Sequence, residues 1–297
     1  MEGEPKQEMH DLLPPEFAPA TFNVLPGSDF EIVKQKLPEY KIDFPLIVKP
    51  EVGGQGILFR KLDAIEQLKN YHDKVPVEYI VQEMITYPME VSVFYYRMPY
   101  ESKGTVTGFL HKIPLQVTGN GKQTLRQLIT GHPKGFKRLQ ELEVKHGANF
   151  SMILQPGEKY MLSYAANHNR GAHFINLQSE IDDRLLSIFD KISLELDDFF
   201  YGRYDILCES VEDLKSGKNF CILEYNGCGA EPNHFYDTGY TLTGAYKEIL
   251  KHWKALYTIS RYNYKQGIKY WPFMKGWKFL QKTKEHYRIM KNTDKLI

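Results

Sequence analysis

The sequence is poor in cysteine and has no long apolar segment. Its 297 residues include only Cys208, Cys221 and Cys228, and no two of them form a CxxC pair. This pattern argues against a zinc ribbon and against the disulfide framework of a small secreted protein. No run of about 18 apolar residues occurs, and the first ten residues lack the profile of a signal peptide. We therefore expect a cytoplasmic protein.

An excess of one charge is missing overall but present locally. The chain has 38 Lys and Arg against 37 Asp and Glu, which argues against a globally basic protein that binds nucleic acid. From Lys251 onward, twelve basic side chains stand against Glu285 and Asp294, a balance of +10, so the first 250 residues carry −9. The chain therefore divides into a mildly acidic body and a basic tail, residues 251–297, which holds all three tryptophans.

Hydrophobic periodicity predicts a body that mixes helices and strands. The prolines before residue 28 predict an irregular N-terminal segment. Short apolar runs predict strands at 44–50, 78–85 and 90–97, and the first is followed by a glycine cluster. Helical spacing of apolar residues predicts helices at 62–71 and 181–200. The order strand, glycine loop, strand, helix, strand indicates an α+β fold.

Two later segments, GRYDILC and CILEYN, are predicted strands that carry oxygen ligands. If they pair in antiparallel fashion, Asp205 and Glu224 face the same side, with Asn226 two residues further along. Oxygen atoms are the ligands that Mg²⁺ prefers. An isolated pair of carboxylates at strand ends is more often merely solvated, but the apolar flanks here favour metal binding.

Lys49 ends an apolar run directly before Gly53, Gly54 and Gly56. A cation at that place can reach phosphates, and the N–H groups of a glycine turn can approach them closely. The signal is weak by itself, because VKPEVGGQG matches neither the P-loop nor GxGxxG.

Taken in order, these motifs resemble the ATP-grasp superfamily. The resemblance is carried by VKPEVGGQG, by VQEMI followed by Glu90, by GRYDI and by CILEYN. A further segment, HKIPLQVTGNGKQTLRQLI, is similar to one found in cyanophycin synthetase and in fused glutathione-synthesising enzymes, although Asn120 replaces the usual Asp. Within the superfamily, the chain resembles the carboxylate-amine ligase branch, which includes D-alanine:D-alanine ligase.

The resemblance implies an ATP-grasp fold, in which two α+β lobes enclose the nucleotide, with a C-terminal helical extension. It divides the chain into an irregular segment at 1–19, an N-terminal lobe with the glycine loop at 20–88, a C-terminal lobe with the metal site at 89–250, and the tail at 251–297. Members usually have another α/β domain in front, and we leave open whether a partner supplies it. Lys6 either matches a lysine that contacts the nucleotide or is a solvated terminal side chain.

The resemblance also implies roles for single residues. Lys49 and the three glycines would contact the phosphates of ATP, and Lys112 would provide a second basic contact. Glu90 would bind the ribose. Arg203 would steady charge in the transition state, and Arg203 or Arg170 could grip a substrate carboxylate. The implied adenine-binding hinge is Gln82, Glu83, Met84 and Ile85, and the implied ligands of Mg²⁺, with Mn²⁺ as an alternative, are Asp205, Glu224 and Asn226.

Two polar segments fall where related ligases bind substrate. They are NHNRGAHF and GCGAEPNHFYD, which contain His168, Arg170, Glu231 and His234. An ordered surface loop is an equal alternative for each of these residues.

The residues together predict an ATP- and Mg²⁺-dependent carboxylate-amine ligase that forms an acyl phosphate and releases ADP. Two other functions stay open: a small-molecule kinase on the same fold, and a non-catalytic ATP-binding module of a larger assembly. The expected partners are a small-molecule carboxylate and an amine, both unidentified, and no nucleic acid. The oligomeric state is not indicated.

The tail mixes tryptophans with lysines, and Pro272 prevents one continuous helix. We expect Trp253, Trp271 and Trp277 to pack on the acidic body while the lysines are solvated. The alternative is a peripheral contact with a membrane surface or an acidic protein.

Overall fold

The computed structural model describes residues 5–196 and 199–297. The chain forms two compact units. The large unit comprises the chain up to His111 together with Asn176–Ile297, and the small unit is Lys112–Ile175. The expected organisation into four segments stays a prediction, and residues 1–4 of its first segment lie outside the described part.

The structure contains α-helices in both units. They are α1 (Lys6–Leu12), α2 (Phe30–Glu39), α3 (Ile65–Lys74), α4 (Leu125–Gly131), α5 (Pro133–Phe136), α6 (Leu139–His146), α7 (Asp183–Glu195), α8 (Val211–Lys215), α9 (Leu242–Lys265) and α10 (Phe273–Asp294). The helix expected at 181–200 is thus α7, and Asp197 and Asp198 in that range lie outside the described residues.

The strands are short and lie between these helices. They are β1 (Thr21–Val24), β2 (Leu46–Pro50), β3 (Arg60–Leu62), β4 (Tyr79–Glu83), β5 (Met89–Tyr96), β6 (Thr105–Ile113), β7 (Gln116–Thr118), β8 (Lys159–Met161), β9 (His173–Asn176), β10 (Tyr201–Cys208) and β11 (Phe220–Asn226). The mixed α+β composition expected from the sequence is confirmed.

The large unit contains two sheets. The first has the strand order β1-β4-β2-β3, and every residue of β2 is buried, as its continuous apolar run predicted. Helices α2 and α3 add Val33, Leu37 and Leu68 to its core. The second sheet contains β11, β10, β5 and β6 in that order, and α7 packs on it through Leu185, Phe189 and Ile192.

The small unit has its own core. Strands β7 and β8 pair in antiparallel fashion, and α4, α5 and α6 follow β7 along the chain. Helix α4 begins with a capping box, in which the Thr124 hydroxyl accepts from the Gln127 N–H while the Gln127 side chain accepts from the Thr124 N–H. Apolar side chains such as Leu125, Ile129 and Leu142 are buried together in this unit.

Within the described residues, the N-terminal segment contains a helix, α1, which corrects the expectation that the residues before 28 are irregular. Helix α1 buries Lys6, Met9 and His10, and Leu13 follows as a core residue. Positions 6, 9, 10 and 13 have helical spacing, but two of the four side chains are polar. Hydrophobic periodicity therefore did not reveal the helix.

The tail forms α10 and most of α9. Trp253, Trp271 and Trp277 are 64%, 44% and 49% exposed, which corrects the expectation that they pack on the body. Other residues of α10 do pack on the body, because Met290 is fully buried in the core of the first sheet. In the part of the chain that the structure describes, no helix is both long enough and apolar enough to cross a bilayer.

Candidate functional site

The two carboxylates expected to bind metal lie opposite each other on neighbouring strands. Strands β10 and β11 are antiparallel, and Asp205 is paired with Glu224 while Arg203 is paired with Asn226. The Asn226 amide nitrogen lies 3.5 Å from Asp205 Oδ2. The antiparallel pairing inferred from the sequence is confirmed, and it brings the three proposed ligands to one place.

A β-bulge shapes this place. The register of β10 and β11 shifts after Asp205, so that Ile206 pairs with Ile222 and Leu223 is the extra residue. A bulged residue is released from the ladder. The Leu223 carbonyl accepts hydrogen bonds from His10 Nε2 at 3.0 Å and from Lys49 Nζ at 3.2 Å. The bulge therefore holds the side chains of Lys49 and His10 beside the carboxylate of Glu224.

Lys49 is buried, with 7% of its surface exposed. Burial lowers the pKa of its ammonium to about 8, and the nearby Lys6 acts in the same direction, whereas Glu224 opposes the shift. A buried lysine with few fixed partners can interact strongly with an anionic ligand, because the surrounding dielectric constant is low.

Lys6 is not a solvated terminal lysine. Its side chain is 4% exposed, and its Nζ donates to the carbonyls of Gly53 at 3.1 Å and Glu51 at 3.3 Å. The same nitrogen lies 3.8 Å from Glu224 Oε1. Helix α1 thus brings a second lysine between the glycine loop and a proposed metal ligand.

Arg203 lies at the same edge. Its Nη2 donates to Asp205 Oδ2 and its Nη1 to the Glu231 carbonyl, both at 3.2 Å. Burial opposes the charge of the guanidinium, but Asp205 and Glu224 outweigh it and raise the pKa of Arg203. Its Nε is buried and has no hydrogen-bond partner within residues 5–196 and 199–297, so this N–H is left to donate to a ligand.

The pairing of the first sheet limits which of the four expected hinge residues can bind adenine through the main chain. Gln82 and Glu83 belong to β4, which is paired with β1 on one side and with β2 on the other. The Gln82 side chain is buried and donates to the Thr21 hydroxyl. Within the described ranges, the main-chain groups of Met84 and Ile85 make no hydrogen bond. Met84 and Ile85 are therefore the hinge residues best able to bind a ligand through the main chain.

Glu90, the expected ribose ligand, lies on β5 opposite Leu207 of β10 and is partly buried. Its role stays a prediction.

The glycine loop lies under α10. A Cβ atom on Gly53 would be 3.3 Å from Met290 Sδ, and one on Gly54 would be 3.4 Å from the Tyr287 hydroxyl. His286 Nε2 donates to the Val52 carbonyl at 2.8 Å. Gly56 has a φ of 67°, a conformation that favours glycine. The tail therefore contacts the loop expected to cover the phosphates.

Two of the expected residues lie in the small unit. Lys112 is buried on β6. Arg170 Nη1 pairs with Glu141 Oε1 at 2.5 Å, and Lys145 and Arg138 contact the same carboxylate. Burial opposes the ionisation of Glu141, but these cations outweigh it and lower its pKa to about 2. Arg170 thus has a firm ion-pair partner within its own unit, and the roles of both residues stay predictions.

The donor set fits a hard divalent cation. Asp205, Glu224 and Asn226 offer only oxygen atoms as ligands, and the carboxylates come from adjacent strands. This set suits Mg²⁺ or Mn²⁺ better than a softer ion.

His10 was missed by the sequence interpretation, and it yields a test of the site's stability. Its imidazole is buried between Thr21 and the Leu223 carbonyl, and burial together with Lys49 lowers its pKa to about 4. Between pH 6.5 and 4 the His10 imidazole is therefore protonated in the unfolded chain but neutral in the folded chain. The free energy of unfolding consequently falls as the pH falls through this range. The shift corresponds to about 3 kcal/mol at most.

We expect His10→Gln to make the free energy of unfolding less dependent on pH across that range than it is in the wild type. Urea unfolding at a series of pH values measures this difference, and the remaining carboxylates and histidines are common to both proteins. Parallel curves for the two proteins would show that His10 is not buried as a neutral imidazole.

No family model matches the chain. Over 218 residues it is 22% identical to the glutathione biosynthesis bifunctional protein GshAB of Clostridium perfringens (strain 13 / Type A), a match that covers 67% of this chain and 28% of that protein. This chain therefore spans little more than a quarter of the length of the curated relative it matches.

Two solved structures are similar to this chain over most of its length. The D-alanine--D-alanine ligase of Bacillus anthracis complexed with ATP has a TM-score of 0.48 and 14% identity, over 89% of this chain and 68% of that one. A bifunctional glutathione synthetase from Pasteurella multocida has a TM-score of 0.42 and 13% identity, over 84% of this chain and 36% of that one.

Proposed function

We propose that this chain is an ATP-dependent carboxylate-amine ligase. In that reaction a substrate carboxylate takes the γ-phosphoryl group of ATP and releases ADP, and an amine then displaces phosphate from the acyl phosphate to form an amide. The observation that carries the proposal is the convergence of the Asp205 and Glu224 carboxylates with two buried cations, Lys6 and Lys49, and the partly buried Arg203.

The charges of this cluster suit a polyphosphate with its metal. Lys6 is buried beside the glycine loop, and Lys49 is buried beside the proposed metal strands. Each carries an ammonium group that would donate hydrogen bonds to phosphate oxygens. Asp205, Glu224 and Asn226 would hold Mg²⁺, which supplies charge neutralisation on the transferred phosphoryl group when it is bound.

Arg203 would donate to the oxygen on which negative charge develops when the amine attacks. Its buried Nε–H has no partner in the described structure, and its guanidinium is already fixed by Asp205 and the Glu231 carbonyl. A preorganised donor of this kind stabilises a transition state without having to reorganise. No nucleophilic side chain is needed. Lys112 would provide a second basic contact with the phosphates, and Arg170 would contact a substrate carboxylate.

The deciding experiment is a screen for ADP release with Mg²⁺ and ATP over pairs of amino acids, peptides and polyamines. We expect ADP release that requires both an acid and an amine, and an amide product identified by mass spectrometry. A phosphorylated product without an amide would show a small-molecule kinase instead. Tight binding of ATP without turnover over the whole panel would show a non-catalytic module.

A further inference from the structure

A second polar cluster lies in the large unit, and it shares no residue with the proposed ligase site. His234 lies in the segment after β11, while Glu248 and His252 lie four residues apart on α9 and therefore share one helix face. His234 Nε2 is 3.3 Å and His252 Nε2 is 3.4 Å from Glu248 Oε1. One ligand atom from each residue lies within 4.8 Å of the others.

The cluster is buried, and three of its four ring nitrogens are not satisfied in the described part of the chain. The His234 and His252 side chains are about 1% exposed, and that of Glu248 is 16% exposed. Among the described residues, both ring nitrogens of His234 and the Nε2 of His252 lack a partner with hydrogen-bond geometry. Buried polar atoms normally have partners, so these three nitrogens, two of which lie beside one carboxylate oxygen, need an explanation.

The surroundings hold the two rings in place. The Tyr201 hydroxyl lies 3.0 Å from His252 Nδ1, which leaves Nε2 of the same ring directed at Glu248. His234 fits only because residue 108 is glycine, since a Cβ there would be 2.4 Å from His234 Nδ1. A hydrogen bond to the second ring nitrogen is the usual support of a histidine that binds metal.

We propose that His234, Glu248 and His252 bind one transition-metal ion of the zinc class. Two imidazoles and one carboxylate are a ligand set that zinc prefers and that magnesium does not. With zinc bonds of about 2.0–2.1 Å, neighbouring ligand atoms of a tetrahedron are about 3.3 Å apart. The measured separations of 3.3 and 3.4 Å fit this spacing. The ion would tie the loop after β11 to α9.

Other charged groups near the cluster are consistent with the proposal. Burial lowers the pKa of both imidazoles, which favours the neutral form that binds metal. Lys251 Nζ lies 3.4 Å from Glu248 Oε1, but its side chain is half exposed and can turn to solvent when a metal binds. The Tyr240 ring, 6.1 Å from that of His234, is the neighbouring side chain from the loop.

The test is zinc binding by the full chain, prepared without a metal-binding tag and stripped with a chelator. Zn²⁺ is titrated in competition with a chromophoric chelator, with Mg²⁺ in excess so that the Asp205 site is saturated. We expect one equivalent to bind, and X-ray absorption to show nitrogen and oxygen ligands at about 2.0–2.1 Å. Failure of the wild-type chain to bind zinc, or a sulfur ligand in its spectrum, would overturn the proposal.

Variants assign the site. The double variant His234→Gln, His252→Gln is expected to lose the bound zinc, whereas His173→Gln, an exposed histidine of the small unit, should keep it. Glu224→Gln should also keep it, which separates this site from the proposed ligase site. Tyr201→Phe leaves all three ligands in place and should weaken zinc binding about 10–100-fold. Equal zinc binding by the double variant and the wild type would refute the assignment.

An independent observation concerns the surface of α9 and α10. Six large side chains of α9 are each at least half exposed and recur every three, four or seven residues, so they form one stripe along the helix: Leu242, Tyr246, Leu250, Trp253, Tyr257 and Tyr264. The exposed surface continues beyond the helix with Tyr270, Trp271, Phe273, Met274 and Trp277. An exposed apolar surface of this extent is typical of an interaction site.

Charge identifies the kind of partner. The tail that carries most of this surface has a balance of +10, so a second copy of the chain that packed tail to tail would bring like charges together. We infer that the surface binds an anionic lipid membrane, with the aromatic rings at the level of the headgroups and the lysines beside the lipid phosphates.

Co-sedimentation of the full chain with vesicles tests this inference. We expect binding to vesicles of phosphatidylglycerol and phosphatidylcholine, little binding to phosphatidylcholine alone, and release by high salt. The double variant Trp253→Ser, Tyr257→Ser should bind more weakly, while Phe136→Ser, which removes an equally exposed ring from the small unit, should not. No binding to anionic vesicles at low salt, or a stable dimer lost in the double variant, would overturn the inference.

Discussion

Glu224→Gln is expected to lower kcat for ADP release by about 10²–10³-fold, the effect of losing one preorganised electrostatic contact. The substitution keeps the shape of the side chain but removes the charge that faces Asp205 and Lys6. With one carboxylate left, the site should also need more Mg²⁺ for half-maximal rate. Steady-state rates at several Mg²⁺ concentrations measure both effects.

The matched control for this prediction is Glu209→Gln, an exposed carboxylate directly after β10. It should leave both kcat and the Mg²⁺ dependence unchanged. If Glu224→Gln folds, binds ATP and keeps its rate, the assignment of β10 and β11 as metal strands is wrong.

The parts of this site that the sequence could predict are those that lie within one strand or one pair of strands. The continuous apolar run before Lys49 indicated a strand that is buried on both faces, and every residue of β2 is buried. The alternation of β10 and β11 places Asp205 and Glu224 on one face whenever the strands are adjacent. These inferences need only local periodicity and one pairing.

The bulge at Leu223 could not be predicted in this way. A bulge changes the register by one residue, and nothing in the alternation of CILEYN marks where the shift occurs. Its consequence is long-range, because the freed carbonyl is shared by His10 and Lys49, residues that lie 213 and 174 positions away. The sequence did not reveal the contribution of α1 to the site for the same reason, because Lys6 and His10 contact residues that are distant along the chain.

His234 shows a different limit of sequence interpretation. Its polar neighbours suggested a substrate loop, but the side chain is about 1% exposed and faces Glu248 and His252 of α9. The spacing of Glu248 and His252 is visible in the sequence, yet a two-residue helical pattern is common and indicates a site only when a third ligand is brought to it. The fold supplies that third ligand.

Met290→Ala is expected to affect both stability and nucleotide binding, because α10 lies on the glycine loop. Met290 is fully buried and its sulfur touches the space beside Gly53, so truncation should leave a cavity and lower the free energy of unfolding by about 3 kcal/mol. The loop should then move more freely. We expect KM for ATP to rise about 10-fold or more, since a misplacement of ~1 Å can cost up to ~10²-fold.

Two further contacts of α10 make the prediction specific to the loop. Asp294 accepts from the Leu58 N–H at 2.9 Å and pairs with Arg60 at 2.9 Å, so the helix also fixes the chain just after the glycines. Asp294→Asn should therefore raise KM in the same direction as Met290→Ala, with a smaller loss of stability because no cavity forms.

Met274→Ala is the control within the same helix, because Met274 is 58% exposed. It should change neither the free energy of unfolding nor KM for ATP. Urea unfolding and steady-state kinetics of the three variants separate two roles for α10. A loss of stability in Met290→Ala with KM unchanged would mean that the helix only completes the core of the first sheet. A rise in KM in both Met290→Ala and Asp294→Asn would mean that the helix positions the loop that we propose binds the phosphates of ATP.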